Sequence, residues 1–546
     1  MGLKEKRETA LAPAELARHR AELARATGRR RLDLILDARN PLALVRALPA
    51  DELYLAIRDI GLADALPLVQ LASAKQFATF LDLDAWRGEN FQPHRALTLL
   101  RAARIGSFDD PRAAARWARK LAALDPELLY LTLRSALRIH DLEVDEDPDI
   151  ESDRFMRTPE NKFIVEFLVD GGDYMAVKGI LDDLYAEDAF KATRLLSSIR
   201  WEIDSELSET ALRWREARLA DLGFPSLEDA HSWFARPPSS PPGAPPGPPA
   251  RPPGFWIAAH AGTSFLDRAA ARLDDDDRAL IEPQLMAAAN AVVVADLIDP
   301  GDPESVARAL SAARALIELG LELRAGADEE AGARALAEIP VKRLFQEGFG
   351  RLLALKWRVD RLLRDFGAGT RESPLLDPPL GEALAALSLK RPRFHPGLEA
   401  DRSHWGAPAL AAAVPRPFFT SLELGRATAA LDAAEGLVTL GARLGLLLPA
   451  PGEPAGIHRL SARYLTALAN ERLGRAFSPA PIPVAELKAA AKAIADGGVD
   501  HPALADAGEA AELLRALAAQ RAEELSATAD AGARDPATVA AAIFSR

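Results

Sequence analysis

Residues 47–77 read ALPADELYLAIRDIGLADALPLVQLASAKQF, and this stretch decides the fold class. Within it Leu53, Ala56, Ile57 and Ile60 fall at i, i+3, i+4 and i+7, the spacing that puts four apolar side chains on one face of a helix. Pro49 and Asp51 stand just ahead of it, where a first turn needs no donor and welcomes negative charge. Gly61-Leu-Ala-Asp-Ala-Leu and Leu71-Ala-Ser-Ala-Lys-Gln-Phe then look like degenerate copies, at intervals of about 10–14 residues. Farther on, Ala123-Leu-Asp-Pro-Glu-Leu-Leu-Tyr-Leu resembles the opening at Ala47, and Leu129, Leu133, Ala136 and Leu137 repeat the helical spacing. One such short helix cannot bury its apolar face alone, whereas a run of them stacks into a curved array. The fold class expected is all-α: an N-terminal short-helix superhelical array followed by a C-terminal helical domain.

The remaining composition agrees. The chain has 546 residues, 49% hydrophobic and 27% charged, with a mean hydropathy of -0.06, which is the profile of a globular protein with a core to bury. It contains no cysteine, so disulfides, thiolate metal sites and cysteine nucleophiles are excluded. A formal charge of -13 argues against a general affinity for nucleic acid. The opening Met1-Gly-Leu-Lys-Glu-Lys-Arg-Glu has no apolar run behind it, and Lys6 stands where an N-myristoylation motif needs Ser or Thr, so neither a secretory signal nor a membrane anchor is expected. The longest apolar runs, Met286–Ile298 and Leu437–Leu448, are interrupted by Asp296 and Arg443 and fall short of the roughly 20 residues of a spanning helix. The default location is cytoplasmic.

The clearest boundary is 237–253, PPSSPPGAPPGPPARPP, because proline fixes φ and removes donors, so neither a helix nor a ladder continues through it. The domains expected are 1–236, a linker at 237–253, and an alanine-rich 254–546. In the first, Arg154-Phe-Met-Arg and Lys162-Phe-Ile-Val-Glu-Phe flank Thr158-Pro-Glu-Asn, so the turn chemistry admits one small β-hairpin near 154–168. After Gly171-Gly172 the helical period returns and runs to about Arg218. In the last, Leu280–Ile298, Pro303–Leu323, Leu422–Leu448, Leu460–Leu473 and Leu504–Leu525 read as helices, as does the stripe Leu355, Val359, Leu362 and Phe366. Gly367–Gly381 and Arg391–Pro417 read as irregular.

Two loops carry residue types that hold metals. In the acidic 141–153 segment Asp145, Asp147 and Asp149 reproduce the opening D-x-D-x-D of a calcium loop. Ile150 stands where that loop needs glycine, and Met156 where it needs glutamate. The other reading is a solvated connector. His395, Glu399, Asp401 and His404 are adequate ligands for zinc, manganese or iron, but their spacing matches no standard site, and Pro396-Gly397 makes a loop. The basic residues between Lys342 and Arg364 alternate with Glu347, Asp360 and Asp365, which favours salt bridges on a solvated helix face over a membrane or nucleic-acid surface. There is no phosphate-binding loop, dinucleotide fingerprint or nucleophile elbow. No catalytic residue and no cofactor are expected.

The segment from about Leu42 to Leu83 resembles the short-helix repeats of the cytoplasmic N-terminal domain of MgtE-type magnesium transporters, an arrangement shared with flagellar motor switch proteins. Residues 32–236, including Leu81-Asp-Leu-Asp-Ala-Trp-Arg-Gly and Leu219-Ala-Asp-Leu-Gly-Phe-Pro, look like an uncharacterised bacterial family of soluble proteins. The resemblance implies a superhelical fold; it transfers no magnesium-binding residue and no transport. The expected function is a helical scaffold or adaptor for an unidentified protein partner. The alternative is a small-molecule or divalent-cation sensor, or an enzyme using the 141–153 or 391–417 loop.

Overall fold

A computed structural model describes residues 13–107, 110–236, 264–365, 375–447 and 459–530. The proline-rich 237–253, the N-terminal octapeptide and the 367–374 part of the irregular stretch lie outside the described residues. The protein is predominantly α-helical, with two small antiparallel sheets. By packing it divides into two units, Met1–Arg314 with Glu329–Lys342, and Ala315–Asp328 with Arg343–Arg546. The first unit therefore continues past 237–253, where the sequence reading puts the domain boundary.

The first unit begins with α1 (Pro13–Arg25), α2 (Gly28–Leu36), α3 (Pro41–Ala47), α4 (Ala50–Ile60), α5 (Leu66–Leu71) and α6 (Ala74–Asp84). These helices are short because the chain starts each one with a local signal. Pro41 occupies the first turn of α3, and Ser73 with Gln76 makes a reciprocal capping box at α6, satisfying donors that a helix start leaves free. The hairpin β1 (Trp86–Arg87) and β2 (Asn90–Phe91) follows, then α7 (Pro93–Arg104), α8 (Pro111–Ala122) and α9 (Pro126–Arg134), each again led by proline. Leu44, Leu53, Ile57, Leu68, Phe77 and Phe80 lie at the centre of the unit's core, at most 1% exposed.

The expected hairpin is present as β4 (Phe155–Arg157) and β5 (Phe163–Phe167), but it belongs to a three-stranded sheet with β3 (Leu137–Asp141), in the order β3-β5-β4. Leu137 pairs with Phe167 and Asp141 with Phe163. This corrects the helical reading of Ala136 and Leu137: α9 stops at Arg134, and Leu137, Ile139 and Asp141 turn inward while Arg138 faces solvent, a period of two. The unit continues through α10 (Gly171–Glu187), α11 (Ala189–Trp201), α12 (Asp204–Asp221), α13 (Leu227–Ser232), α14 (Phe265–Ala270), α15 (Asp275–Ala295), the first part of α16 (Pro303–Ala325), and α17 (Glu329–Glu338). Helix α13 packs on α15, and α14 on α17.

The second unit holds the end of α16, nearly all of α18 (Val341–Asp365), α19 (Leu380–Leu387), α20 (Ser421–Arg443), α21 (Leu460–Arg472), α22 (Leu487–Gly497) and α23 (Gly508–Asp530). Every residue of α21 from Leu460 to Asn470 is buried, the mark of a helix enclosed on all sides. Polar groups on it find partners inside: Ser461 Oγ donates to Asp377 at 2.6 Å, and Asn470 donates to the carbonyls of Ser478 and Ala480. Helices α16 and α18 cross without intervening side chains. A Cβ on Gly320 would stand 2.0 Å from the Leu344 carbonyl oxygen, and one on Gly348 2.2 Å from that of Leu316. Of the bases of α18 in this unit, Arg343 pairs with Glu347, Lys356 with Asp360, and Arg358 with Asp432 and Glu435. Among the described residues no helix is long and apolar enough to cross a membrane.

Candidate functional site

Helix α6 ends in Leu81-Asp-Leu-Asp, with Ala85 and Trp86 leading into β1, and both aspartates are buried, Asp82 completely and Asp84 to 4% exposure. A buried carboxylate needs a cation and further hydrogen bonds; Asp82 finds its cation far away in sequence and Asp84 finds one on the next helix. Arg218 of α12 clamps Asp82 with two bonds, of 2.7 and 2.8 Å, and reaches Asp125 at 2.7 Å with its remaining terminal nitrogen. Burial raises Asp82 and these bonds oppose it; the bidentate geometry holds the pair ionic. Asp84 accepts from Tyr54 and from Arg95, each at 2.6 Å. Burial and then the adjacent Asp84 charge push the Tyr54 hydroxyl well above its ordinary pKa. Arg95 and Arg87 both pair with Asp299, while Arg58 donates to the Gly301 carbonyl at 2.8 Å. Gly301 leaves room for these side chains, since a Cβ there would come 2.7 Å from Tyr54 Oη and 3.0 Å from Arg95 Nη2 and push them aside.

These pairs draw the Asp296–Asp302 loop, α12 and the β1–β2 hairpin together around a cavity of about 610 Å³ in the first unit. The hairpin turns at Gly88-Glu89 with Gly88 at φ +59°, the conformation a two-residue primed turn demands. Leu83, Trp86, Leu219, Phe224, Val293 and Leu297 give the cavity an apolar lining. Arg215, half-buried, crosses one wall: its Nε donates to the Asp82 carbonyl at 2.9 Å, its Nη1 to the Gly88 carbonyl at 3.3 Å, and its guanidinium lies 5.3 Å from the Trp86 ring centroid. The Trp86 Nε1–H is buried and has no acceptor among the described residues. Glu89, Glu216 and Asp229 are exposed lining residues.

Leu297 also lines this cavity, 59% exposed and at φ +51°. The Ile298 N–H bonds the Val293 carbonyl at 2.9 Å, so Leu297 sits where a helix of this ending ordinarily has glycine. Leu297→Gly is expected to raise stability by about 0.5–1 kcal/mol through relief of the left-handed leucine. Urea denaturation checks this; a loss of stability instead would mean that the leucine's packing outweighs its backbone cost.

The metal candidates are not drawn together. Asp145, Asp147 and Asp149 are all exposed, and Asp145 merely accepts the Asp147 N–H at 3.3 Å. His395 is buried, its Nδ1 accepting the Gly397 N–H at 3.2 Å, and burial lowers its pKa. Glu399 pairs with Arg416 at 2.7 Å, Asp401 caps Ser403, and His404 is exposed. Among the described residues no group of three or more His, Asp or Glu side chains is arranged to hold a metal ion. No sequence pattern marks the residues around the cavity as chemistry, although Leu81–Gly88 and Leu219–Pro225 carry the family likeness. The available signal was two acids, Asp82 and Asp84, inside an apolar run.

No curated protein and no solved structure matches this chain. A family model matches residues 6–536, covering both units and the two stretches that meet at the cavity. The chain belongs to the family of unknown function DUF6178.

Proposed function

We propose that the protein binds an organic ligand in the first unit's cavity, as a cytoplasmic small-molecule sensor or carrier. The observation that carries this reading is the combination at one wall: about 610 Å³ of mostly apolar space beside a half-buried guanidinium stacked on a tryptophan. Pockets that take drug-sized ligands have this volume and this ratio of apolar surface to a few polar groups. Nile red, a neutral dye, is the direct probe. The full chain is expected to bind it with an increase in fluorescence, and Ala220→Trp, at an exposed lining position of α12, is expected to weaken binding at least fivefold with an unchanged circular dichroism melt. Equal binding by the two proteins would sink the cavity reading.

A second reading, the scaffold or adaptor, is favoured by exposed apolar side chains on α11 and just after it: Phe190 at 78%, Trp201 at 62% and Ile203 at 59% exposure. The short helices α3–α6, with their likeness to the N-terminal domain of magnesium transporters, support the same idea. A partner retained by the wild type and lost from Trp201→Ser, with Nile red binding intact, would favour it.

A further inference from the structure

The cavity's cations are not equivalent. Arg87 is neutralised by Asp299, and Arg213 turns to Glu209 on the exposed face of α12. Among the described residues Arg215 has no carboxylate partner within ion-pair distance. Both bonds it makes go to backbone carbonyls, and its Nη2 donates to nothing among the described residues. Asp82, whose carbonyl it touches, offers it no carboxylate oxygen, because both are held by Arg218. A guanidinium out of bulk water, fixed by two carbonyls and an aromatic face, presents its remaining N–H groups as a preformed fork for a planar two-oxygen anion. Burial already works against its charge.

The lining limits what that anion is. Glu89, Glu216 and Asp229 are exposed around the same cavity, so a ligand with several negative charges would meet three like charges on its way in. The apolar part of the lining, which includes Leu83, Leu219, Phe224, Val293 and Ile298, rewards an apolar body and offers no partner to a polar group laid against it.

We infer that the ligand class is an apolar monocarboxylate, its head paired with Arg215 and its hydrocarbon body laid along the leucine and valine wall. This inference rests on the cavity reading above. Its test compares three probes of one size on the full chain at neutral pH: octanoate, 1-octanol and octylammonium, by calorimetry and by displacement of Nile red. Octanoate is expected to bind at least tenfold more tightly than octanol, with octylammonium weakest, and Arg215→Gln to bring octanoate down to the level of octanol. The wild-type ratio needs no variant, so a misfolded Arg215→Gln would leave the comparison intact. Octanol binding as tightly as octanoate would overturn the carboxylate head and keep the cavity. Dye binding with no displacement by any of the three would overturn the ligand class, and the absence of both dye and probe binding would remove the cavity reading as well.

Discussion

Alanine at Gly320 or Gly348 is expected to destabilise the second unit by about 3 kcal/mol or more, the upper range for overpacking a tight contact. Both added methyls would be aimed at a main-chain carbonyl of the facing helix, at 2.0 and 2.2 Å, and a carbonyl inside a helix cannot rotate aside as a side-chain tip can. The helices must separate, and every side-chain contact along the crossing loosens with them. Alanine's better helix propensity returns only about 1 kcal/mol. Gly350, on α18, supplies the control: a Cβ there meets nothing within 4 Å, so Gly350→Ala is expected to stabilise by about 0.5–1 kcal/mol. Thermal and urea denaturation of the three variants check the pattern. If Gly320→Ala and Gly350→Ala shift stability in the same direction, the close crossing is not what the glycines serve.

The second large effect is expected at the Asp82–Arg218 pair. Arg218→Ala leaves a fully buried carboxylate without its cation, which costs about 3–5 kcal/mol in comparable settings. Replacing both partners by apolar residues, Asp82→Leu with Arg218→Met, is expected to recover most of that loss, because the penalty belongs to the stranded charge. The same single variant is expected to weaken Nile red binding, since Arg215 bonds the main-chain carbonyl of Asp82. Urea midpoints for Asp82→Leu, Arg218→Met and the double variant form the cycle, with Arg218→Ala measured beside them. Arg218→Ala within 0.5 kcal/mol of wild type would mean that the clamp does not hold the wall.

The helices were legible in the sequence because their signals are local. Leu53, Ala56, Ile57 and Ile60 share a face of α4, Leu355, Val359 and Leu362 share one of α18, and the turn Thr158–Asn161 marks the hairpin that β4 and β5 form. Leu129 and Leu133 do lie on α9, whereas Ala136 and Leu137 misled for the same reason: their spacing fits a helix whether or not the chain has already turned toward a strand. The cavity was hidden for a different reason. Asp82 and Arg218 are 136 positions apart, Arg87 and Asp299 212 apart, and no local period connects residues at such separations. The acids of 141–153 and the histidines at 395 and 404 stood out because they cluster along the chain, yet clustering along the chain is not convergence in space. Asp82 and Asp84, embedded among Phe80, Leu81, Leu83 and Trp86, carried the better clue, since an acid in a buried helix end demands a distant base.

The first unit is discontinuous along the chain, and this sets an order of events during synthesis. Asp299, which answers Arg87 and Arg95, and Val293 and Leu297 of the cavity wall are translated after the proline-rich stretch, and the unit's last segment ends at Lys342. At about 5–20 residues per second, a nascent chain that has reached Arg236 waits roughly 5–20 s for the residues that complete its own first unit. Through that interval Leu83, Trp86 and Leu219 lack the Val293–Leu297 wall and Arg87 lacks Asp299, so the growing polypeptide at this stage is expected to be a client for a chaperone that holds exposed hydrophobic segments near the ribosome.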